Sequence, residues 1–306
     1  MKKWIATVML CTLAGAQQKQ PAQQPESSGT VFTTDVERVN MLFTVSDKKG
    51  RFVTNLLKDD FIVLEKKKDQ KIIEFTAESD LPLRLAILID TSNSVRDRFK
   101  FQQEAATEFV KNVLRPKQDK AIVVGFDTAT ELVADLTEDV DKLEKAIRGL
   151  RPGGGTSLFD AVYFSCRDKL MMDNPRHKFR RAMVIVGDGD DNQSRYSRDQ
   201  ALEMAQKADV VIYTISTNIT RQEQDGDKVL KYFAAETGGL SFFPFKVTDL
   251  SQSFENISNE LRHQYNMLFK PEPFFRDGQF HPVEIKVRNR KDLIVRARKG
   301  YYAPKL

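Results

Sequence analysis

Between residues 82 and 264 the chain alternates short runs of Val, Ile, Leu and Ala with stretches of helical periodicity, and this constrains the fold more than any other feature. The apolar runs 83–89, 121–126, 182–186, 210–215 and 240–245 read as strands. The stretches 98–114, 141–150, 158–172, 199–207, 227–236 and 250–264 read as helices. In the first of these, Phe99, Phe109, Val110 and Val113 fall on one side. Strands with no polar alternation offer no face to water, so helices must cover both sides of the sheet they form. The expectation is a doubly wound, mostly parallel α/β domain. Ligands of such a sheet bind beyond the carboxyl ends of its strands, near the point where strand order reverses.

The flanks are patterned differently. In 30–81, Val39, Met41, Phe43 and Val45 recur at every second position, Asp47-Lys48-Lys49-Gly50 supplies a turn, and 61–65 with 71–75 reads as a second hairpin. In 265–306, residues 281–287 alternate and 293–298 follow a charged turn. Neither block is long enough to bury a core alone, so the two are expected to pair as one small β-sandwich. The chain starts Met1-Lys2-Lys3, runs apolar over 4–13 and continues Ala14-Gly15-Ala16. That is the layout of a secretory signal peptide over 1–16, too short to remain as a membrane span. Cys11 raises the question of a lipid anchor, but bulky Leu10 stands where a small residue belongs. Residues 17–29, rich in Gln, Pro and Ser, read as a flexible linker. The organisation is thus signal 1–16, linker 17–29, β segment 30–81, α/β domain 82–264 and β segment 265–306. The chain is expected to be exported, to a periplasm or beyond the cell.

Charge and cysteine narrow the function classes. The net charge is +5, and removing Lys2 and Lys3 with the signal leaves +3, too little to argue for nucleic acid. Lys66-Lys67-Lys68 reads as a solvated hairpin tip. Cys166 is then the sole mature cysteine and cannot form an intramolecular disulfide; its apolar helical neighbours mark it as buried and inert.

Three loops carry candidate chemistry. The first strand runs into Asp90-Thr91-Ser92-Asn93-Ser94, where alternation aims Asp90, Ser92 and Ser94 one way and Thr91 and Asn93 another. Gly153-Gly154-Gly155-Thr156 opens a later helix, the glycines allowing close backbone approach. Gly187-Asp188-Gly189 leaves the strand ending at Val186. Two carboxylates and three hydroxyls make an all-oxygen set suited to a hard cation such as Mg²⁺, with Mn²⁺ or Ca²⁺ as alternatives. Neutral hydroxyls leave the ion much of its charge, so it could accept one further carboxylate.

Asp90-x-Ser92-x-Ser94, Thr156 and Asp188 together resemble a von Willebrand factor type A domain with a metal-ion-dependent adhesion site, over about residues 82–264. The closing Arg298-Lys299-Gly300-Tyr301-Tyr302-Ala303-Pro304 also resembles bacterial secreted proteins of that type. The resemblance implies a non-enzymatic binding module. Ser92, Ser94 and Thr156 would contact the metal through hydroxyls, Asp90 and Asp188 directly or through water, and an acidic residue of a protein partner would complete the shell. Gly187 departs from the family, in which many members carry Ser or Thr there, and puts the hydrogen bonding behind the ligands in question.

Competing readings are a metal-dependent hydrolase, disfavoured because no His or Glu base accompanies the five residues, and a structural envelope protein whose metal only stiffens the fold. Asp188-x-Asp190-x-Asn192-x-Ser194 superficially resembles a calcium loop but has Gln193 where Gly is needed. Asp190 and Asp191 remain candidates for a secondary cation. Ser157 and Asp160 have capping-box spacing. His177, His263 and His281 are too scattered for zinc.

Overall fold

The structure is a computed structural model that describes residues 38–77, 81–173, 178–218, 220, 222–244 and 246–305. The expected signal peptide with Cys11, the linker and His177 lie outside the described residues. The N-terminal block gives β1 (Val39–Asp47), β2 (Phe61–Glu65), β3 (Lys68–Asp69) and β4 (Lys71–Thr76). The middle gives β5 (Leu83–Asp90), α1 (Phe99–Val113), β6 (Lys120–Phe126), β7 (Thr130–Thr137), α2 (Val140–Gly149) and α3 (Leu158–Phe164). It continues with β8 (Arg180–Gly187), α4 (Arg198–Lys207), β9 (Val210–Ser216), α5 (Asp225–Thr237), β10 (Ser241–Phe242) and α6 (Val247–Arg262). The C-terminal block adds β11 (Tyr265–Lys270), β12 (Phe280–Val287), β13 (Leu293–Ala297) and β14 (Gly300–Tyr302).

The middle strands form one sheet in the order β10-β9-β8-β5-β6-β7, parallel except for β7, which runs antiparallel to β6. Every residue of β5 and β8 is buried. In β5, Leu83, Leu85, Ile87 and Ile89 enter one core with α1, α2 and α6, while Ala86 and Leu88 enter the other with α3, α4 and α5. Burial on both faces is the physical reason the strand reads as continuous hydrophobicity. Order reverses around β5, whose neighbours are β6 and β8. The sequence reading omitted β7, an edge strand broken by Glu131 and Asp135. The run expected at 240–245 shrinks to β10, because Pro244 cannot extend a strand ladder; Phe245 lies outside the described residues. The helix expected over 158–172 is α-helical only to Phe164 and widens to a π-helical turn over Ser165–Leu170.

The outer blocks interleave as two antiparallel four-stranded sheets, β13-β1-β11-β4 and β14-β12-β2-β3. Their inner faces share one core, in which Phe43 stacks on Tyr265 at 5.4 Å and meets Phe61 edge-on at 5.2 Å. The hairpin expected from 61–65 and 71–75 does not form. β2 pairs only with short β3 and with β12, and β4 crosses to the other sheet beside β11. Gln70 makes the crossing: its backbone N–H bonds Val63 O at 2.9 Å, and its side chain accepts from Glu272 N at 2.7 Å. The closing basic motif ties this sandwich to the α/β domain. Buried Arg298 donates to Asn40 O at 2.6 Å and pairs with Asp209, just ahead of β9. Arg180, opening β8, donates to Leu81 O at 2.8 Å. The sandwich therefore adjoins the amino ends of the parallel strands. No helix among the described residues is long and apolar enough to cross a membrane.

Candidate metal centre

Asp90 ends β5, and Asp188 directly follows the end of the neighbouring β8, so both carboxylates stand at the carboxyl edge of the sheet. Asp90 is fully buried, and its Oδ1 accepts from Ser92 N at 2.8 Å. Ser92 remains extended before a 3-10 turn over Asn93–Arg98 leads into α1. That geometry brings the hydroxyls of Ser92 and Ser94 to 2.7 Å, and Ser94 Oγ donates to Asp188 Oδ2 at 2.5 Å. Asn93 points away and accepts from Arg96 at 2.8 Å. Hydrogen bonds thus link four of the five expected residues. Thr156 reaches the same edge through its glycine loop, which is tied back by Gly153 N to Thr91 O at 2.6 Å and Asn93 N to Gly154 O at 3.3 Å. Thr156 is buried, but its hydroxyl bonds none of the other four.

The electrostatics are unbalanced. Among the described residues no Lys, Arg or His side chain bonds Asp90 or Asp188. Asp90 Oδ2 is buried without any hydrogen-bond partner. Burial, and secondarily the nearby Asp188 charge, pushes the Asp90 carboxyl up to about 7. Asp190 is raised too, by burial first and then by Asp188, Asp225 and Asp227. An unpartnered buried carboxylate oxygen is expensive, and a cationic or donating ligand would fit there.

Two glycines make the arrangement possible. A Cβ on Gly187 would lie 2.8 Å from both Cβ and Oδ2 of Asp90, so with this carboxylate in place position 187 leaves no room for a side chain. Gly154 has φ +78°, and a Cβ there would meet Thr128 Oγ1 at 2.5 Å. Thr128 in turn accepts from Gly155 N at 3.0 Å.

Residues behind the site escaped the sequence reading. Asn192 Oδ1 accepts from Thr156 N at 3.0 Å, while Thr156 O accepts from the amides of Asn192 and Gln193. Asp191 Oδ2 accepts from Phe159 N at 2.9 Å, and Ser194 Oγ accepts from Asp160 N at 3.0 Å. The segment resembling a calcium loop therefore spends Asp191, Asn192 and Ser194 on orienting Thr156 and capping α3. This also corrects the capping reading. Ser157 occupies the N-cap position without making a cap bond, and its buried hydroxyl has no partner. Asp160 instead accepts from Arg195 N and Tyr196 N at 2.9 and 3.0 Å. Asp191 and Ser194, arriving from a distant loop, occupy the amides a local cap would have used. The polar cluster over 190–194 was the available signal, but the amides that donate to it lie over thirty positions away.

Other candidates resolve simply. Cys166 is buried and free, and burial drives its thiol upward, away from reactivity. His263 bonds Asn259 O at 2.6 Å on its own helix, and His281 lies buried in the sandwich between Glu65 and Asp277. No group of three or more His, Cys, Asp or Glu side chains that could hold a metal occurs among the described residues, so the oxygen set above differs in kind from a zinc site.

The family model of the von Willebrand factor type A domain matches residues 85–260. The von Willebrand factor A domain-containing protein 3B of Homo sapiens is 27% identical over 180 residues, which cover 57% of this chain and 13% of that protein. The chain thus spans a small part of this curated relative. Among solved structures, the von Willebrand factor type A protein from Catenulispora acidiphila aligns over 89% of this chain and 75% of its own, with a TM-score of 0.52 and 12% identity. The von Willebrand factor domain of the type V pili tip protein Mfa5 from Porphyromonas gingivalis aligns over 58% of this chain and 94% of its own, with a TM-score of 0.49 and 15% identity. At such identities the likeness to the Catenulispora acidiphila protein is one of fold. The profile match spans more than half of the chain and takes in Asp90, Ser92, Ser94, Thr156 and Asp188: the chain belongs to the von Willebrand factor type A domain family.

Proposed function

We propose that the chain is an exported, non-enzymatic protein-binding module in which Asp90, Ser92, Ser94, Thr156 and Asp188 hold one divalent cation. Domains of this family are commonly protein-interaction or adhesion modules. The observation that carries the metal is the buried Asp90 Oδ2 without a partner, close to a second carboxylate and with no Lys, Arg or His among the described residues bonded to either. The residues present fit such an ion: two carboxylates give charge, hydroxyls give neutral oxygen, and all are hard ligands suited to Mg²⁺. The two carboxylates formally balance the ion, and because the other ligands are neutral hydroxyls it would stay electrophilic enough for an Asp or Glu carboxylate of the partner to complete its shell. Asp191, Asn192, Ser194 and Gly187 set ligand positions without touching the ion.

Calorimetric titration of Mg²⁺ and Mn²⁺ into chelator-stripped protein tests the reading, beside a variant carrying Asp90→Ala and Ser92→Ala. Saturable one-to-one binding in the native protein, lost in the variant, is expected. Titration of an exposed acidic peptide should then show affinity only with metal present. Absence of metal binding in the native protein refutes the mechanism and leaves the domain to bind by other means.

A further inference from the structure

Charge is unevenly divided along the chain. Residues 38–77 and 265–305, which build the sandwich, carry 19 Lys and Arg against 10 Asp and Glu; residues 82–264 carry 26 against 28. The positive excess therefore belongs to the sandwich, and strand register gathers part of it at one end. β2 and β3 close a two-residue hairpin in which Glu65 faces Lys68 and the loop is Lys66-Lys67, with φ of 49° and 65°. Two left-handed residues mark the turn type that Asn-Gly normally fills, because a Cβ is strained there. β4 opens with Lys71 and β11 closes with Lys270, and these two lysines are direct cross-strand partners. Like charges placed opposite each other weaken a sheet. All five lysines are exposed, and none forms an ion pair among the described residues.

Exposed acids on the same stretch are Asp69, Glu272 and Glu74, the last paired with Arg38; Asp277 is also exposed but bonds His281. The loop leaving Lys270 carries half-buried Phe274 and Phe275, and Lys66 Nζ sits 4.3 Å from the centre of the Phe275 ring. A hairpin that keeps lysines where Asn-Gly is easier, beside a Lys-Lys strand pair, gives up local stability for surface charge. Backbone held in a sparsely populated region points to a use.

We propose that this lysine end of the β-sandwich docks on the headgroups of an anionic phospholipid bilayer. Ammonium groups on flexible apolar stems, one of them over the Phe275 ring, suit a bilayer interface: charge meets phosphate while the stems lie toward the acyl boundary. The α/β domain, with a slight acidic excess, gains nothing from the same surface. The sandwich adjoins the amino ends of the parallel strands, whereas the candidate metal centre stands at their carboxyl ends. Docking through the sandwich would leave that centre facing away from the bilayer, open to a partner.

Co-sedimentation of the full chain with vesicles of phosphatidylglycerol and phosphatidylcholine, and with phosphatidylcholine alone, tests this. Binding is expected to the anionic vesicles only and to fall with added salt. A variant with Lys67→Gln, Lys68→Gln, Lys71→Gln and Lys270→Gln should bind at least about tenfold more weakly, since each lysine contributes roughly a fivefold factor. Its unfolding temperature should be unchanged or raised, because a like-charge pair is relieved. A second variant, Lys66→Asn with Lys67→Gly, should be more stable than the native chain and bind less. Both variants keep the apolar N-terminal stretch, so any background from it cancels. Equal binding to neutral vesicles, undiminished binding by the Gln variant, or no vesicle binding at all would overturn the proposal. Binding to DNA or heparin without binding to vesicles would overturn it in favour of a soluble polyanion.

Discussion

Replacing Asp90 by Asn, with all metal stripped, isolates the cost of the buried carboxylate. Its pKa rises from 3.8 to about 7 in the folded protein, from burial first and Asp188 second. Below pH about 4 the group is protonated folded or unfolded, and no penalty arises. Between about 4 and 7 the folded chain holds a proton that the unfolded chain releases, so stability falls as pH rises. Above about 7 the penalty is constant. Roughly three pKa units at 1.36 kcal/mol each set it near 4 kcal/mol. The amide of Asp90→Asn carries no charge, but its NH₂ takes the place of the unpartnered Oδ2 and costs about 1–3 kcal/mol as a buried unsatisfied donor.

The variant should therefore be more stable than the native chain by about 1–3 kcal/mol at pH 8 in chelator, a few degrees or more in Tm. At pH 4 that advantage should vanish or reverse. Saturating Mg²⁺ should raise the native Tm and leave that of the variant unmoved, which makes the native chain the more stable of the two. Thermal unfolding of both proteins at pH 4, 6 and 8, with and without metal, reads all of this. If Asp90→Asn is no more stable than the native chain at pH 8 in chelator, the carboxylate is not unpaired and the electrostatic case for a bound cation fails.

Gly187→Ala should destabilise the fold by about 1–3 kcal/mol and weaken Mg²⁺ binding, because its Cβ would meet the Asp90 carboxylate at 2.8 Å; denaturant titration and calorimetry measure the two effects. Asp191→Ala should cost about 1 kcal/mol through the lost cap at Phe159 N, and reduce metal affinity although Asp191 is not among the proposed ligands; an unaltered affinity would show that Thr156 is placed without that cap. Asp119 is buried, which alone would raise its pKa, yet hydrogen bonds from Arg115 and Leu83 N hold it below 3.8. Its stabilising effect is present above about pH 4 and lost as pH falls through the folded value, so Asp119→Ala should cost about 3 kcal/mol at pH 7 and progressively less on acidification, as read by urea unfolding.

What was legible in the sequence is what local periodicity encodes. Continuous burial on both faces made β5, β6, β8 and β9 readable, and alternation made β1 and β12 readable. The failures share a cause. β7 carries Glu131 and Asp135 because an edge strand need bury only part of its surface. The expected hairpin of 61–65 with 71–75 failed because pairing partners are chosen by the whole sandwich: β12, more than two hundred residues downstream, takes the edge of β2 that a hairpin would have used. At the site, Asp90, Ser92, Ser94 and Asp188 announce themselves by position at strand ends. Asn192, Asp191 and Ser194 do not, because their acceptors serve amides over thirty residues away.

The proposed ligands alone are ordinary residues of turns and strand ends, and nothing in Ser92 or Thr156 forces an oxygen toward a cation. What orients them is the surrounding shell: Gly187 admitting β8 against Asp90, Asn192 fixing the Thr156 backbone, and Ser94 bridging to Asp188. Two carboxylates held close with no Lys, Arg or His bonded to them among the described residues carry a penalty that one divalent ion would remove. Metal binding and folding stability would then be linked through Asp90. A change in the shell should therefore shift metal affinity and apo stability together, whereas removing the Thr156 hydroxyl, which bonds none of the other four residues, should shift affinity alone. Thr156→Val separates the cases: a large fall in apo Tm would place that hydroxyl in the structural network rather than among the ligands.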